Sequence, residues 1–459
     1  MYKNKLYKGV HLMSIKKIRV SNFKSFKELD IELSKFNVLI GANASGKSNF
    51  VHIFEFLRDI VNHGLDNAIS MQGDVEYFRN MNIGSDDNFS LEIFSDQESK
   101  FRIEGQIKDE EIGVKIYEYI YKFVIKFVKK KYIILEDKLR LRCKFVRLIK
   151  QKEKMKEIEA LGEGEIIIFV TDKREIALDL KKPENLLIET DKIPLFGPAA
   201  EFTFPQLPPK MTLINLLTGP IFTPFIPFLL SAFFKDFIYE FDPSLFIGVK
   251  FFKDISVYNI DPKLTKKAAE FSATTELEGD GRNLAIVLRN IIKDKEKKRK
   301  LFNLLRYILS FIDDLKVKTL HDRSLFVNLR EIYSKEKFFP AYLISDGTIN
   351  ITALIIALYF EEKNFIIIEE PERNVHPYLI SKVIEMMKDV SKEKQIIITT
   401  HNPEIVKHAK PEDIFLISRD KEGFSKICRP AEKTEIKIFL QNEMGIDELY
   451  VQNLLELKI

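Results

Sequence analysis

The sequence predicts an α/β fold in which a mixed or parallel β-sheet is covered by helices. The C-terminal part alternates helices and strands, and its strands are almost entirely apolar, which is typical of parallel strands buried on both faces. Near the N-terminus, an apolar strand at 36–40 is followed, after a six-residue loop, by an amphipathic helix at 47–63. Between these parts lies a segment of different character, which we predict to be an inserted α+β region.

The N-terminal part contains three predicted strands and one long helix. Apolar alternation or apolar runs predict strands at 15–20, 28–33 and 36–40. The helix at 47–63 has one apolar face, and Gly64 is a natural residue to end it. That face consists of Phe50, Ile53, Phe54, Leu57, Ile60 and Val61.

The C-terminal part alternates regularly, so its strands should run parallel. The predicted elements are helix 348–360, strand 365–368, helix 377–390, strand 396–400, helix 403–409 and strand 414–418. In the middle, we predict a strand meander over 100–200, a short charged helix at 151–160 and helical structure near 283–315. The predicted divisions are an N-terminal extension 1–12, an N-terminal lobe 13–105, an insertion 106–275, a C-terminal lobe 276–430 and a tail 431–459.

The composition is that of a globular protein in a reducing compartment. Apolar residues make up 45% and charged residues 31% of the 459 residues, which excludes a disordered chain. Cys143 and Cys428 are the only cysteines and give no disulfide framework, so we expect a cytoplasmic protein. The net charge of +4 is small for this length and does not by itself indicate a nucleic-acid partner.

The residues after the strand at 36–40 fit the phosphate-binding pattern G-x-x-x-x-G-K-[ST]. Gly41 and Gly46 let the backbone curl so that N–H groups face the phosphates, and the following helix adds positive potential. Lys47 would reach the β- and γ-phosphates of ATP, and the Ser48 hydroxyl would ligate Mg²⁺. The strand and helix around the pattern disfavour the alternative of a plain structural turn. The residues assigned to ATP binding are Gly41, Ala42, Asn43, Ala44, Ser45, Gly46, Lys47, Ser48 and Asn49.

Two acids follow the strand at 365–368, at the end where open α/β sheets bind their ligands. Glu369 would hold Mg²⁺, and Glu370 would polarise the attacking water. Solvated acids at a strand end are the alternative, but beside a phosphate-binding loop we favour the catalytic assignment.

Two further motifs lie near these acids in the sequence. Ser345-Asp346-Gly347-Thr348 opens the helix at 348–360, where serine and glycine are also ordinary capping residues. His401 follows the strand at 396–400, from which it could contact a γ-phosphate or hold the attacking water. Alone, each motif would be weak, and a structural role would be the simpler interpretation.

Together, these motifs resemble the ABC-like ATPases of the SMC and RecF group, especially the RecF-like or OLD-like ATPases. The resemblance covers both ends of the chain, roughly 13–100 and 278–420, and the middle poorly. The residues that carry it are IRVSNFKSF (18–26), GANASGKSN (41–49), GDGRNLA (279–285), LISDGT (343–348), IIIEEPERNVHP (366–377) and ITTHNPEIV (398–406).

The resemblance implies a two-lobed P-loop ATPase core and a role for each motif. Glu369 and Glu370 would be the Walker B acid and the catalytic base, with His401 as the switch histidine. Ser345 and Gly347 would match the ABC signature, which contacts ATP bound to a second chain, so a homodimer is implied. The D-loop would fall at residues 374–376. Phe23 or Phe26 would be candidates to contact adenine, although core packing explains both equally well.

Some features depart from the family pattern. The family usually has Asp where this chain has Glu369, which puts the details of Mg²⁺ coordination in doubt. Gln72 is a weak candidate for the Q-loop glutamine, and we favour the interpretation that it is a solvated loop residue. The long coiled coil of SMC proteins is absent because no heptads are sustained. The residues after His401 are too few for the Toprim nuclease domain of OLD proteins.

One apolar segment raises the question of a membrane span. Residues 211–234 carry no charge and are long enough to cross a bilayer as a helix. A continuous helix is disfavoured by Pro220, Pro224 and Pro227. A single crossing would also place Lys47 and the later motifs on opposite sides of the membrane. We therefore expect a buried or interfacial segment without stable membrane insertion.

Three hypotheses follow for the function. The leading one is an ATP-driven dimerisation switch that acts on DNA or a nuclease partner in repair or anti-phage defence. The second is an ATP-dependent regulator of a protein partner that binds no nucleic acid. The third is a transporter ATPase, which only the segment at 211–234 supports.

Overall fold

The computed structural model describes most of the chain, and the described residues form two compact units. The described residues are 14–80, 83, 87–96, 99–104, 110–129, 131–151, 154–184, 186, 210–218, 251–270, 275–320, 324–434, 436, 438 and 445–452. The first unit draws on residues 1–33, 52–254 and 421–426. The second unit draws on residues 34–51, 255–420 and 427–459.

The elements are numbered in chain order over the described residues. The strands are β1 Ile15–Phe23, β2 Phe26–Glu32, β3 Phe36–Ile40, β4 Phe89–Ser95, β5 Ser99–Glu104, β6 Glu110–Val128, β7 Lys131–Gln151, β8 Lys154–Val170, β9 Ile176–Lys181, β10 Ile255–Tyr258, β11 Ile312–Thr319, β12 Leu325–Glu331, β13 Phe339–Pro340, β14 Phe365–Glu369, β15 Gln395–Thr400, β16 Ile414–Arg419 and β17 Ser425–Cys428. The α-helices are α1 Lys47–His63, α2 Leu65–Met71, α3 Asp74–Phe78, α4 Leu213–Thr218, α5 Pro262–Thr265, α6 Leu284–Lys293, α7 Lys295–Ile308, α8 Asp346–Tyr359, α9 Pro377–Val390, α10 Pro403–His408 and α11 Ile446–Val451. Short 3₁₀ turns occupy Phe251–Asp254, Ala341–Leu343, Pro411–Asp413 and Pro430–Glu432.

The first unit is built on an antiparallel sheet with the order β2-β1-β4-β6-β7-β8-β9, in which β5 also pairs with β6. Alternation along the strands places apolar side chains on a buried face, as in β4, where every second residue from Phe89 to Ser95 is buried. Aromatic rings fill the core, since Phe23, Phe56, Phe78 and Phe89 meet edge-on or tilted with centroids 4.7–6.3 Å apart. Strands β6 to β9 of the region predicted as an insertion continue the sheet of β1, β2 and β4.

The prediction of a charged helix at 151–160 is wrong, because β8 occupies most of this stretch as a strand. The local composition is rich in Lys and Glu, which suits a helix. Antiparallel pairing with β7 overrides this preference, with Leu148 opposite Glu157 and Gln151 opposite Lys154. Tertiary pairing decides the structure here.

The polar face of this sheet carries arginines flanked by acids on both neighbouring strands. Arg142 on β7 lies opposite Glu118 on β6 and Glu165 on β8, and its guanidinium reaches them at 2.8 and 3.5 Å. On β1, Arg19 lies in register with Asp30 and Glu92, with ion pairs of 3.1 and 3.0 Å. Each exposed pair contributes little alone, about 0.2–1 kcal/mol.

A buried carboxyl group connects β7 to α4 in the first unit. Asp137 is 1% exposed, and it accepts hydrogen bonds from the Tyr121 hydroxyl (3.1 Å) and the Leu213 N–H (2.6 Å). Burial raises the pKa of Asp137 to about 7, although these two donors and the charge of Arg174 oppose the shift.

The second unit is built on a six-stranded sheet with the order β10-β14-β15-β3-β16-β17. Its pairings β10–β14, β14–β15, β15–β3 and β3–β16 are all parallel. The strands β3 and β15 are buried at every residue, which explains their continuous apolar runs. Helix α8 is buried on nearly all sides and is the most apolar helix of this core.

The predicted α/β class is therefore confirmed, as are the parallel strands near the C-terminus. Helices α1 and α9 have the predicted bounds, while α8 begins at Asp346, two residues before the predicted start. The extension 1–12 lies outside the described residues. Of the segment 211–234, the structure describes only the part up to Thr218. Within the described residues, no helix is long and apolar enough to cross a membrane.

The buried Asp137 makes the stability of the first unit depend on pH. Its pKa is near 7 in the folded state and near 4 when unfolded, so the folded state holds the proton between these values. Stability from this group is present below pH 4 and is lost as the pH rises towards 7. The side chain of the Asp137→Asn variant is uncharged at every pH. The difference in free energy of unfolding between the wild type and this variant, measured by urea titration, should therefore shrink from pH 5 to pH 8.

Tyr121→Phe is the matched control for this measurement, because it removes one donor and keeps the carboxyl group. We expect this variant to lose stability with rising pH as the wild type does, but at a higher pH, because the lost hydroxyl opposed the rise in the pKa of Asp137. Parallel pH profiles for the wild type and Asp137→Asn would contradict the assignment.

Candidate nucleotide-binding site

Parallel pairing brings the carboxyl ends of three strands to one edge of the second unit's sheet. Glu369 at the end of β14 lies opposite Thr399 on β15. Thr400 at the end of β15 lies opposite Ile40 at the end of β3. The acids after β14, His401 after β15 and the phosphate-binding loop after β3 therefore share this edge.

The loop after β3 has the backbone that its glycines permit. A Cβ atom on Gly41 would lie 2.3 Å from the carbonyl oxygen of Ile417, so only glycine fits beside β16. Ala44 and Gly46 have positive φ angles of 62° and 116°. A residue with a side chain at Gly46 would be strained, because its φ favours glycine.

Lys47 begins α1 and points back over the loop. Its Nζ donates hydrogen bonds to the carbonyl oxygens of Gly41 (2.6 Å) and Ala42 (2.9 Å). Partial burial lowers the pKa of Lys47, and the negative charge of Glu370 and two nearby glutamates opposes this shift. The ammonium group is thus held where phosphate oxygens could replace the two carbonyl partners.

Glu369 lies between two polar side chains from different elements. The Ser48 hydroxyl is 3.5 Å from one carboxylate oxygen, and the Asn259 amide nitrogen is 3.4 Å from the other. Hydroxyl, carboxylate and amide oxygens are ligands that Mg²⁺ accepts, and Mg²⁺ commonly takes only one or two protein ligands beside phosphates. The residues therefore fit Mg²⁺, although the described residues contain no cluster of three His, Cys, Asp or Glu side chains that could hold a metal unaided.

Glu370 follows β14 in a left-handed conformation with φ 46°, and its N–H donates to the Thr399 carbonyl (2.8 Å). One carboxylate oxygen is 3.0 Å from Arg373 Nη2, and the other is 3.0 Å from His401 Nδ1. Burial alone would raise the pKa of Glu370. Hydrogen bonds and charge from Arg373 and His401 outweigh burial and lower this pKa below its usual value.

These side chains surround one cleft of about 320 Å³. It is lined by Asn43, Ala44, Gly46, Lys47, Ser48, Asn49, Asn259, Glu369, Glu370, Arg373, Thr399 and Arg419. Most of the predicted loop residues and both predicted acids line it. Gly41, Ala42 and Ser45 shape the loop from behind, and His401 reaches the cleft through Glu370.

Sequence reasoning assigned no site role to four residues that line this cleft: Asn259, Arg373, Thr399 and Arg419. Asn259 follows β10, a short strand that pairs with β14 in parallel. Both β10 and Asn259 lie within the region predicted as an insertion. Arg373 follows the acids by three residues and was visible only as part of the family motif. Arg419 ends β16, and its Nε donates to the Ala44 carbonyl of the loop (3.0 Å). Asn259 and Arg419 have no local sequence signal, because each contacts a residue far away in the chain, whereas Arg373 and Thr399 lie within motifs that the sequence shows.

Ser345 and Gly347, both described by the structure, lie outside the cleft lining. Ser345 is exposed and caps α8, since its hydroxyl accepts from the Thr348 N–H (3.1 Å). A Cβ atom on Gly347 would lie 2.4 Å from the carbonyl oxygen of Asn374, so the start of α8 packs directly on the turn that follows the acids.

The adenine and Q-loop candidates are not supported by the structure. Phe23 and Phe26 are fully buried in the first unit, so neither ring offers a free face to a nucleobase. Gln72 ends α2 in the first unit and is also buried, so the prediction of a solvated loop residue is wrong. Core packing accounts for all three.

Comparison with known proteins identifies one family and one relative. The family described as "AAA domain, putative AbiEii toxin, Type IV TA system" matches residues 36–134 and 242–407. An uncharacterized protein of Methanocaldococcus jannaschii, MJECL43, is 28% identical over 92 residues. That stretch is 19% of this chain and 24% of that protein, so the chain spans only about a quarter of this relative's length.

Solved structures of SMC heads are also similar to this chain. The Smc head domain of Pyrococcus furiosus, bound to the C-terminal domain of ScpA, is 11% identical with a TM-score of 0.41, over 94% of this chain and 100% of that one. The SMC head domain of Thermotoga maritima is 13% identical with a TM-score of 0.36, over 90% and 98%.

The family match includes the phosphate-binding loop, both acids after β14 and His401. It also extends over more than half of the residues. The chain therefore belongs to this family of AAA-type ATPase domains.

Proposed function

We propose that this protein binds and hydrolyses ATP in the cleft of the second unit. The observation that carries this proposal is the convergence on one cleft of Lys47 and Ser48, which follow β3, with Glu369 and Glu370 at the end of β14. A phosphate-binding loop, a hydroxyl, an acid for Mg²⁺ and a second acid are the groups that phosphoryl transfer to water needs.

The loop and Lys47 bind the substrate. Backbone N–H groups at the start of α1 and the Lys47 ammonium offset the charge of the β- and γ-phosphates. Ser48 and Glu369, with Asn259 beside them, would hold Mg²⁺, which supplies charge neutralisation between the β- and γ-phosphates when bound.

Glu370 acts as the general base. It orients a water molecule and accepts a proton from it as the water oxygen bonds to the γ-phosphorus. The bond between the γ-phosphorus and the bridging oxygen breaks, and ADP leaves with the electron pair. His401 holds one carboxylate oxygen of Glu370 at 3.0 Å and thereby fixes the orientation of the base.

The signature residues belong to a second copy in this proposal. Ser345 is exposed at the N-terminus of α8, a 14-residue helix, and lies outside the cleft of its own chain. A helix N-terminus suits an anion, so Ser345 and Gly347 of one chain would close the cleft of the other. Head-to-tail pairing with two-fold symmetry then gives two equivalent sites.

For the biological role, we propose a switch that acts on DNA or on a nuclease partner in repair or anti-phage defence. The description of the matched family names a toxin of a toxin–antitoxin system, which supports defence. ATP would close the dimer, and hydrolysis would release it.

A regulator of a protein partner is the second candidate, and the first unit favours it. Several basic side chains on its long strands pair with acids, as Arg142 does with Glu118 and Glu165. Lys144 pairs with Glu163 in the same way. Phosphates would have to displace these partners, so this face does not suit nucleic acid.

Lys47→Ala should abolish ATP binding, because it removes the cation that offsets the triphosphate charge. Calorimetric titration with ATP measures this. Wild-type affinity in the variant would overturn the assignment of the loop.

Glu370→Gln should bind ATP yet hydrolyse it slowly, since an amide cannot take up the proton. We expect turnover, measured as phosphate release, to fall on the order of 10²–10⁴-fold. Turnover equal to that of the wild type would remove Glu370 from this role and make Glu369 the next candidate.

Ser345→Arg should keep ATP binding but lose ATP-dependent dimerisation, because the bulky cation blocks the composite site. Light scattering on Glu370→Gln protein with ATP, with and without Ser345→Arg, measures this. Ser345→Asn is the matched control, since asparagine also caps a helix. A double variant that still dimerises, or a Glu370→Gln protein that stays monomeric at high concentration, would rule out the composite site.

A further inference from the structure

Both oxygens of the Glu370 carboxylate are occupied by groups of its own chain. Arg373 Nη2 lies 3.0 Å from one oxygen, and His401 Nδ1 lies 3.0 Å from the other. Each oxygen keeps a second lone pair for a water molecule, but the two cationic or donor groups compete with that water for the charge of the base. The arginine and histidine are not equivalent in this respect, because only Arg373 lines the cleft.

The backbone of Arg373 is firmly held. Its N–H donates to the Glu370 carbonyl (2.9 Å), and its carbonyl accepts from the amide of Asn350 on α8 (2.7 Å). Asn350 is 2% exposed, so this anchor belongs to the core. A change of partner by Arg373 therefore needs only rotation of its side chain.

The guanidinium of Arg373 is held more loosely than its backbone. Its side chain is 36% exposed, and its second contact, to the Ile260 carbonyl, is long at 3.5 Å. A terminal phosphate bound by Lys47 and Ser48 would enter the same cleft. It carries more charge than a carboxylate and accepts a guanidinium in a two-pronged bond, so it competes well for Arg373.

We propose that Arg373 is a positioning residue that exchanges Glu370 for the terminal phosphate of the bound nucleotide. This inference rests on the proposed ATPase function. Before binding, Arg373 holds one oxygen of Glu370, and its positive charge weakens Glu370 as a proton acceptor. When a triphosphate enters, Arg373 turns to the terminal phosphate, and one oxygen of Glu370 becomes free for the attacking water. A diphosphate lacks this group and leaves the Arg373–Glu370 contact intact.

Through this exchange, Arg373 would discriminate between a nucleoside triphosphate and a diphosphate. Calorimetry with ADP and with the nonhydrolysable analogue AMP-PNP, both with Mg²⁺, tests this on the full chain. Arg373→Gln should weaken AMP-PNP binding about tenfold or more, the typical value of a hydrogen bond to a charged group, and leave ADP binding within about twofold. Arg373→Lys keeps a charge and should retain part of the preference.

Arg330→Gln is the matched control for this comparison. Arg330 lies in the same unit and forms a similar ion pair with Asp313 (2.6 Å), but it does not line the cleft. We expect wild-type affinity for both nucleotides in this variant. Equal losses for ADP and AMP-PNP in Arg373→Gln, or no loss for either, would overturn the proposal.

A double-mutant cycle tests the competition itself. Glu370→Gln removes the competitor, so it should strengthen AMP-PNP binding more in the wild-type background than in the Arg373→Gln background. Equal effects in both backgrounds would overturn the exchange. The calorimetry and the double-mutant cycle measure nucleotide affinity alone. A protein that binds but does not hydrolyse ATP would contradict the proposed function, and the role of Arg373 in binding could still be tested on it.

Discussion

The parallel pairing of β14 with β15, and of β15 with β3, is the constraint on which the candidate site depends. Each strand contributes one part of the cleft, and each part lies just beyond the carboxyl end of its strand. A slip of one residue would turn each strand's side chains to the opposite face and move the acids away from the loop. The Ile-rich strands β14 and β15 are buried except for Glu369 at the end of β14, and a slip that drew this carboxylate into the core would be costly. The core of the second unit therefore also determines the geometry of the site.

The turn after β14 is held by several hydrogen bonds and positions the acids of the cleft. Within four residues it contains Glu370 in a left-handed conformation, the buried Glu372 and Arg373. Glu372 accepts a hydrogen bond from the hydroxyl of Thr400 (2.5 Å), and burial raises the pKa of Glu372. The turn is thereby tied to β15, and through Asn350 it is tied to α8. The base, its two partners and the start of α8 therefore form one connected arrangement.

Sequence reasoning predicted the parts of the fold that depend on local pattern. Helix α1 and the strands β3, β14 and β15 were visible because buried parallel strands and amphipathic helices leave clear periodicity. The strand β8 was not, because its charged sequence pairs with β7 through contacts that composition does not encode. Asn259 was missed for a related reason, since only the sheet brings it close to Glu369. Arg373 lies three residues from its partner Glu370 and was overlooked within the motif.

The flanked arginines on the first unit's sheet have a consequence for heat tolerance. Arg142 belongs to a network, since Glu165 also contacts Arg140 (3.9 Å) and Lys181 (3.4 Å). The cost of removing water from charged groups falls as temperature rises, while hydrophobic stabilisation levels off. Networks of this kind therefore gain relative weight on warming. The long strands β7 and β8 should consequently hold their pairing at temperatures at which a sheet with an uncharged polar face would begin to open.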